Sequence, residues 1–396
     1  MKYFVSVIIP VYNVEDYLAD CLESVLKQTL TDIEIICIND CSPDGSAAIL
    51  SEYAKKDERI RVINMPVNSG LSAVRNTGIK EAQGKYIYFL DSDDELVPET
   101  LKECWEMAEK NNCDQVIFSA KLKIEKGAKY DATYQIPEDL AGGVYPGAEL
   151  LAELAQRWKL MVSACFRFSR LDFLRQHKIL FPAGLLQEDN YFSVKAMILA
   201  GNVGVLNKEF YIRRVRPNSI MTIQTDEQIY KRTKSYLQIY YLFATEMRDA
   251  FYSAQQQDAL FAFMPMLIGG VVDNMKKIPE SLVLKMRDEL LSAPGGETIK
   301  MFFPIFQVYG VNKNRKPAPP PKQTAASPVS APPQSSAAAQ APVVPQRVPV
   351  APRPTEPRLT LKKAVKCLLP YGLIRLREEY GSFSNIFRKI FSYERN

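Results

Sequence analysis

The chain has 396 residues, of which 47% are hydrophobic and 24% are charged. These are the proportions of an ordinary globular protein with enough length for two or three structural units. The net charge of +5 is unevenly distributed, because residues 358–396 carry +6 whereas residues 1–315 sum to about −4. A nucleic-acid enzyme is more often basic around its site, so we expect no nucleic-acid partner.

The first part of the chain alternates between two patterns. Runs of apolar residues, typical of buried parallel strands, occupy positions 5–11, 33–38, 60–63, 86–90 and 114–119. Helical spacing of apolar residues fills the gaps between them, at positions 14–28, 46–56, 71–82 and from Pro98 onwards. The alternation predicts an α/β fold with a doubly wound, Rossmann-like, mostly parallel sheet flanked by helices. Ligands of such sheets bind beyond the carboxyl ends of the strands, which singles out residues 12–13, 39–40 and 91–94.

The remainder of the chain is less regular. Residues 126–225 have a mixed pattern, and residues 226–315 have a helical one. Residues 316–357 contain 13 of the 26 prolines, so we expect a disordered linker. Residues 358–396 carry apolar stripes flanked by cations, a pattern that suits an amphipathic helix on an anionic membrane surface. The alternative is a pair of small helices that pack on the body or on a second subunit of a homo-oligomer.

Three features bear on location. The seven cysteines form no C-x-x-C pair, which favours a reducing compartment over a disulfide or zinc framework. The first strand pattern begins at Val5 and meets Pro10, where a signal peptide would continue its apolar run. The longest apolar helical stretch, residues 259–272, is short for a membrane span, and we expect Pro265 to interrupt it. We therefore expect a cytoplasmic protein that is peripheral on the inner face of the cytoplasmic membrane.

The acidic segment at residues 91–94 is the strongest chemical signal. Three carboxylates within four residues repel one another unless a cation or solvent relieves them. Asp91 and Asp93 occupy alternate positions at a strand end, so both can face a hard divalent cation such as Mn²⁺ or Mg²⁺. A diphosphate would supply further oxygen ligands. The alternative is an acidic turn that caps the helix before Pro98.

Two further residues lie at the same predicted edge of the sheet. Asp40 ends the second strand pattern and can accept a hydrogen bond from the N–H of a nucleotide base, although turn chemistry explains it equally well. Arg75 lies in residues 68–76, which open a helix whose N-terminus favours anions. The alternative is an ordinary surface arginine.

The mixed region contains a second acidic pair and a group of arginines. Glu188 and Asp189 precede an apolar helix, where they fit either a general base on the acceptor side or first-turn acids at a helix start. Arg216 belongs to the arginine-rich residues 213–216, which suit phosphate or, alternatively, a solvated strand edge. His177 is the sole histidine, so neither histidine metal ligation nor a Ser–His–Asp triad is available.

Four segments, in this order along the chain, resemble glycosyltransferase family 2, which has the GT-A fold: residues 7–13, 39–46, 68–78 and 89–94. The resemblance is close over residues 4–120, weakens up to residue 225 and lapses beyond. It implies an inverting transfer of a sugar from a nucleotide-diphosphate donor, a UDP-sugar, to a hydroxyl of a glycan or lipid-linked glycan in bacterial cell-surface synthesis. It also implies a donor-binding half at residues 1–125 and an acceptor-binding half at residues 126–225.

The resemblance implies roles for individual residues. Donor binding falls to Pro10, Tyr12, Asp40, Arg75 and Asp91, with Arg216 added from the arginine-rich segment. In this scheme Tyr12 packs on the base, Asp40 recognises it, and Arg75 lies near the base and diphosphate. Asp91 lies near the ribose, and Asp93 contacts the metal. Asp189 is the catalytic base, and Glu188 is its neighbour in the acidic motif.

Three alternatives compete with this interpretation. A sugar nucleotidyltransferase normally needs a glycine-rich phosphate loop near its first strand, and residues 10–13 do not form one. An NAD-dependent oxidoreductase is disfavoured likewise, because no G-x-G-x-x-G follows that strand. A degenerate transferase that serves as a membrane-associated assembly partner is disfavoured by its intact acidic residues and Arg75.

Overall fold

The computed structural model describes residues 2–128, 130, 132–216, 225–249 and 251–292. The predicted linker at residues 316–357 and the predicted tail at residues 358–396 lie outside these residues. The same is true of residues 293–315, the end of the predicted helical region.

The first part of the chain forms the alternation that the sequence predicts. Its elements are β1 (Tyr3–Val11), α1 (Leu18–Leu26), β2 (Ile33–Asn39), α2 (Ser46–Lys56), β3 (Ile60–Asn64), α3 (Leu71–Glu81) and β4 (Gly84–Phe89). β1 lies between β2 and β4 and is parallel to both, and β3 continues the parallel run beyond β2. Nearly every residue of β1 and β2 is buried, since helices cover both faces of the sheet.

One predicted helix is shorter than expected. α1 begins at Leu18 rather than at Val14. The backbone N–H groups of Tyr17 and Leu18 both donate to the carbonyl oxygen of Val14. Residues 14–17 therefore form a tight turn that leads into the helix.

The second part of the sheet is mixed. It contains β5 (Glu95–Leu96), α4 (Thr100–Asn111), β6 (Gln115–Ile124), β7 (Val144–Tyr145), α5 (Gly147–Gln156), β8 (Arg167–Arg170), α6 (Leu171–Gln176), α7 (Glu188–Leu199) and β9 (Val203–Val215). The strand order is β3-β2-β1-β4-β8-β6-β9-β5, and β7 also pairs with β9. β8 is antiparallel to both of its neighbours, whereas β6 and β9 are parallel to each other. The result is one continuous Rossmann-like sheet, which confirms the predicted fold class.

Three helices follow the sheet: α8 (Asp226–Arg248), α9 (Ala254–Met275) and α10 (Glu280–Ser292). The expected interruption at Pro265 was wrong, because α9 continues through this residue and packs its apolar side on α5 and α8. With 22 residues and a mean hydropathy of 1.2, α9 is the one helix among the described residues that is long and apolar enough to cross a membrane. Half of the 18-residue window with this hydropathy is buried within the protein, and buried core helices of globular domains have the same length and composition.

Candidate active site

The carboxyl ends of β1, β2 and β4 bring the predicted donor-site residues to one edge of the sheet. Pro10 is buried within β1, where it shapes the end of the strand but offers no polar group to solvent. Tyr12 follows β1 directly and is 50% exposed. The next residue, Asn13, has a left-handed backbone with φ of 55° and donates its N–H to the Ser42 hydroxyl at 2.7 Å. This turn holds the Tyr12 ring in the open at the strand end.

Asp40 follows β2 and is buried. Its Oδ1 accepts the N–H of Ser69 at 2.7 Å, and its Oδ2 accepts the N–H of Gly70 at 2.9 Å. Gly70 has a φ of +80°, a conformation that favours glycine, and it directly precedes α3. Asp40 therefore fixes the entry to α3. Each carboxylate oxygen has a second lone pair, so recognition of a base by Asp40 stays a prediction.

Arg75, on α3, is the centre of the site. Its side chain is 1% exposed. Nη2 donates to Oδ1 of Asp91 at 2.8 Å, and Nη1 donates to Oε1 of Glu188 at 3.0 Å and to Oδ1 of Asp189 at 2.8 Å. One guanidinium thus joins the acid that follows β4 to the acidic pair that opens α7.

This burial shows that the surface alternative for Arg75 is wrong. The guanidinium is committed to three carboxylates, and its place near the base and diphosphate stays a prediction. Burial alone would lower the pKa of the Arg75 guanidinium, but the carboxylates of Asp189 and Asp91 outweigh it and raise that pKa. Arg75 is therefore a permanently charged positioning residue.

The two acids of the pair differ in depth, and burial raises the pKa of both. Burial, followed by the charge of Asp189, raises the pKa of Glu188 to about 7. Burial also raises the pKa of Asp189, while Arg75 opposes this shift and the N–H of Ala164 binds the carboxylate. The side chain of Asp189 is 22% exposed, whereas that of Glu188 is 9% exposed. The side chain of Asp189 is thus the more exposed of the two.

Side chains of α3 hold the loop that precedes α7. Ser72 donates its hydroxyl to the carbonyl oxygen of Pro182 at 2.8 Å. Asn76 exchanges two hydrogen bonds with the backbone of Phe181. The ring of Phe181 stacks on that of Phe192 in α7, with centroids 3.8 Å apart. These contacts fix the start of α7 relative to Arg75.

Each of the three acids in the segment after β4 has its own partners. Asp91 binds Arg75, and Asp93 accepts the Nε–H of Arg216 at 3.0 Å. Asp94 is buried and accepts the Tyr211 hydroxyl at 2.5 Å and the Arg214 N–H at 2.6 Å. Asp94 therefore anchors β9 and is not a ligand that faces the cleft.

The side chains at this edge supply only part of the ligand set that a hard cation needs. The side chains of Asp91 and Asp93 are 33% and 24% exposed, so both offer carboxylate oxygens of the kind that Mg²⁺ and Mn²⁺ prefer. Burial and the charge of Asp91 raise the pKa of Asp93, a repulsion that a cation would relieve. Within the described residues, no group of three or more His, Cys, Asp or Glu side chains is placed to hold a metal. A cation here would need a diphosphate and water as its other ligands.

The arginines near the end of β9 make internal contacts. Arg214 binds Asp20 at 2.8 Å and Glu95 at 3.1 Å, so it serves the structure rather than a phosphate. Arg216 lies over the Tyr17 ring at 4.9 Å as well as beside Asp93. The phosphate role of Arg216 stays a prediction.

The sequence pattern missed a second buried arginine. Arg167, at the start of β8, is 2% exposed, and its Nη2 donates to the carbonyl oxygen of Met161 at 2.5 Å. Burial lowers the pKa of Arg167 to about 10, while the charge of Asp189 opposes that shift. Nothing in the local pattern marks this residue, because its relation to Asp189 arises only in the folded sheet.

Comparisons with known proteins show which family the chain resembles. The model of the family described as glycosyl transferase family 2 matches residues 6–177. The uncharacterized glycosyltransferase EpsJ of Bacillus subtilis is 36% identical over 243 residues, which cover 60% of this chain and 69% of EpsJ. The poly(ribitol-phosphate) beta-glucosyltransferase of Bacillus spizizenii is 36% identical over 205 residues, which cover 51% of this chain and 30% of that longer protein.

The fold is shared with a solved structure. The crystal structure of S. aureus TarS superposes with a TM-score of 0.51 at 24% identity, covering 71% of this chain and 50% of TarS. This likeness confirms the predicted GT-A fold. The family match and the 36% identity to EpsJ show that the relationship extends to the sequence. The chain belongs to glycosyl transferase family 2, and the prediction of a glycosyltransferase is confirmed.

Proposed function

We propose that this glycosyltransferase moves a sugar from a nucleoside-diphosphate donor to a hydroxyl of a glycan acceptor by single displacement with inversion. Asp189 is the general base that takes the proton of the acceptor hydroxyl. The oxygen of the acceptor hydroxyl then attacks the anomeric carbon, and the bond to the diphosphate breaks as the new glycosidic bond forms. A single step of this kind needs one base and no covalent intermediate on the protein.

One observation carries the proposal: Arg75 joins Asp91 on the donor side to Asp189 on the acceptor side through bonds of 2.8 Å each. The two terminal nitrogens of one guanidinium thus hold the proposed base for the acceptor and the proposed acid of the donor site. In-line displacement needs both substrates at one place, because nucleophile and leaving group meet at the same anomeric carbon. Arg75 fixes both carboxylates in position before the substrates bind.

For the donor we propose a UDP-sugar with Mn²⁺ or Mg²⁺. The exposed Tyr12 ring suits stacking on a base, and the segment held by Asp40 lies beside it at the same sheet edge. Asp93, with Asp91, would hold the metal together with the diphosphate. The cation would neutralise charge that develops on the leaving diphosphate. Arg216, which is bonded to Asp93, stands where it can contribute a second positive charge.

For the acceptor we propose a cell-surface glycan or its lipid-linked precursor. The similar protein of Bacillus spizizenii is named for glucosyl transfer to poly(ribitol-phosphate), and a bacterial surface polymer is the class of acceptor that this supports. A lipid-linked acceptor would also explain why residues 358–396 are basic. Binding of that segment to an anionic membrane would raise the local concentration of enzyme and acceptor.

The test is a panel of nucleotide sugars with Mn²⁺, read by mass spectrometry as donor turnover and as transfer. We expect turnover of one donor by the parent protein. Asp189→Asn should lower the transfer rate by about 10²–10⁴-fold, the usual contribution of a positioned base. Donor affinity, measured by calorimetry, should survive in this variant, because the donor residues follow β1, β2 and β4.

Other outcomes identify the competing functions. Pyrophosphate-dependent turnover would show a sugar nucleotidyltransferase. Absence of turnover with every donor would favour an assembly partner. A collapse of donor affinity in Asp189→Asn with normal residual transfer would show that Asp189 is not the base, and Glu188 would then be tested in the same way.

A further inference from the structure

An exposed tryptophan occupies a position where folding favours glycine. Trp158 follows α5 with a φ of 56°, in the left-handed region, and is 56% exposed. Its N–H donates to the Ala155 carbonyl and the N–H of Lys159 donates to the Leu154 carbonyl, at 3.0 and 2.8 Å. These two bonds form the helix-ending motif whose left-handed residue is usually glycine. A large side chain here costs backbone energy and gains little burial, so the exposed Trp158 ring contributes little to folding and is available to a ligand.

The ring of Trp158 faces an unusual stretch of α9. Gly269 and Gly270 lie next to each other inside this helix, where glycine is unfavourable. Gly270 is explained by packing, since an added Cβ would come within 2.9 Å of the Tyr236 ring. An added Cβ at Gly269 would meet only the outer edge of Trp158, at 4.0 Å. Glycine at both positions leaves the surface between the two rings uncovered by side chains.

The two aromatic residues are attached to the segments that hold the base. Tyr236 donates its hydroxyl to Oε1 of Gln187 at 3.1 Å, and Gln187 immediately precedes the acidic pair. On the other side, the chain runs from Trp158 through residues 159–163 to Ala164, whose N–H binds the carboxylate of Asp189. We call the surface formed by Trp158, Tyr236, Gly269 and Gly270 the aromatic shelf.

We propose that the aromatic shelf is an acceptor subsite that binds a sugar ring one or two units away from the hydroxyl that Asp189 deprotonates. The C–H face of a pyranose carries weak positive charge and packs on the negative face of an aromatic ring. The protein is therefore selective for an oligosaccharide acceptor over a monosaccharide. The inference rests on the proposed function in one respect, which is the assignment of Asp189 to the acceptor side.

The size of the shelf favours a sugar over a membrane or a protein. Among the described residues, the other exposed large hydrophobic side chains lie elsewhere in the chain: Phe4, Tyr12, Val67, Leu71, Ile124, Leu180 and Phe251. Protein and membrane contacts are usually marked by contiguous apolar patches of several hundred Å². One exposed ring beside one half-buried ring offers a smaller apolar surface, of the kind that packs on one sugar ring.

The experiment uses the full chain and the fact that it has two tryptophans. In Trp105→Phe, all tryptophan emission comes from Trp158. This variant is titrated with methyl glycosides of glucose and of N-acetylglucosamine and with the corresponding β-linked disaccharides and trisaccharides. We expect a saturable change in emission, with the affinity for at least one trisaccharide about tenfold or more above that for its monosaccharide.

The matched variant is Trp158→Gly, which restores the residue that the helix end favours. Saturation-transfer NMR should show about a tenfold or greater loss of trisaccharide affinity, while the melting temperature is unchanged or raised. A merely structural role for Trp158 would instead lower the melting temperature. Unchanged trisaccharide affinity in Trp158→Gly, or no binding of any saccharide to the parent protein, overturns the inference. Saccharide binding that depends on Trp158, with no sugar transfer from any donor, would contradict the proposed function alone.

Discussion

The pH dependence of folding offers a direct test of the buried acidic pair, through the substitution Glu188→Gln. Glu188 is 7% exposed, and its pKa in the folded protein is raised from 4.5 to about 7, mainly by burial and then by Asp189. A raised pKa means that the folded state favours the protonated form. The stabilisation is fully present below about pH 4.5 and is lost as the pH rises to about 7.

The magnitude follows from the shift. A difference of about 2.5 pKa units corresponds to about 3 kcal/mol of unfolding free energy. Glutamine resembles the protonated glutamic acid in shape and polarity, but it does not ionise. Relative to the parent protein, Glu188→Gln should therefore gain about 3 kcal/mol of stability between pH 4.5 and pH 8.

The assay is urea denaturation of the parent and the variant at several pH values across this range. The surface substitution Glu58→Gln, at an exposed position, is the control and should show no such gain. If the stability difference between Glu188→Gln and the parent is the same at both ends of the range, burial does not govern this carboxyl. A relative gain by the parent at high pH would show that Arg75 stabilises the ionised form more than burial opposes it.

Three further predictions follow from the site and the tail. Arg75→Met should lower the unfolding free energy by about 3–5 kcal/mol, because buried carboxylates lose their counter-ion. The control is Arg61→Met, which removes an exposed ion pair with Glu81. In the same urea titration it should cost less than about 1 kcal/mol. Asp93→Ala should abolish Mn²⁺-stimulated donor turnover with an unchanged melting temperature, and full parent activity in EDTA would contradict the metal role. Deletion of residues 358–396 should abolish binding to anionic vesicles, and vesicle binding by the intact protein that ignores salt would contradict the electrostatic mechanism.

The parallel part of the fold could be predicted from the sequence, but the antiparallel insertion could not. β1, β2 and β4 are covered on both faces and therefore appear as uninterrupted apolar runs. β8 has four residues, two of them arginines, and its place is defined by pairing with β4 and β6. Such a strand has no periodic signal of its own, since tertiary contacts decide its conformation.

The acids of the site could also be predicted more readily than the hydrogen bonds that join them to other elements. The acids at positions 91, 93 and 189 belong to motifs that can be recognised in the sequence. The burial of Arg75 cannot be read from its helix, because Glu188 and Asp189 lie 113 and 114 positions later. The role of Asp94 as an anchor for β9 has the same origin, since Tyr211 and Arg214 are distant in the chain.

Glu188 and Asp189 are neighbours in the chain, but their side chains differ in exposure. Because the pKa of Glu188 lies at about 7, this residue carries its proton part of the time near neutral pH and relieves the repulsion on Asp189. Asp189 keeps an exposed edge, and Arg75 and the N–H of Ala164 oppose the rise in its pKa that burial causes. A general base must be within reach of the substrate, and the greater exposure of Asp189 supports its proposed role over that of Glu188. Since Arg75 also holds Asp91, one guanidinium fixes the positions of the donor-side acid and of the proposed base.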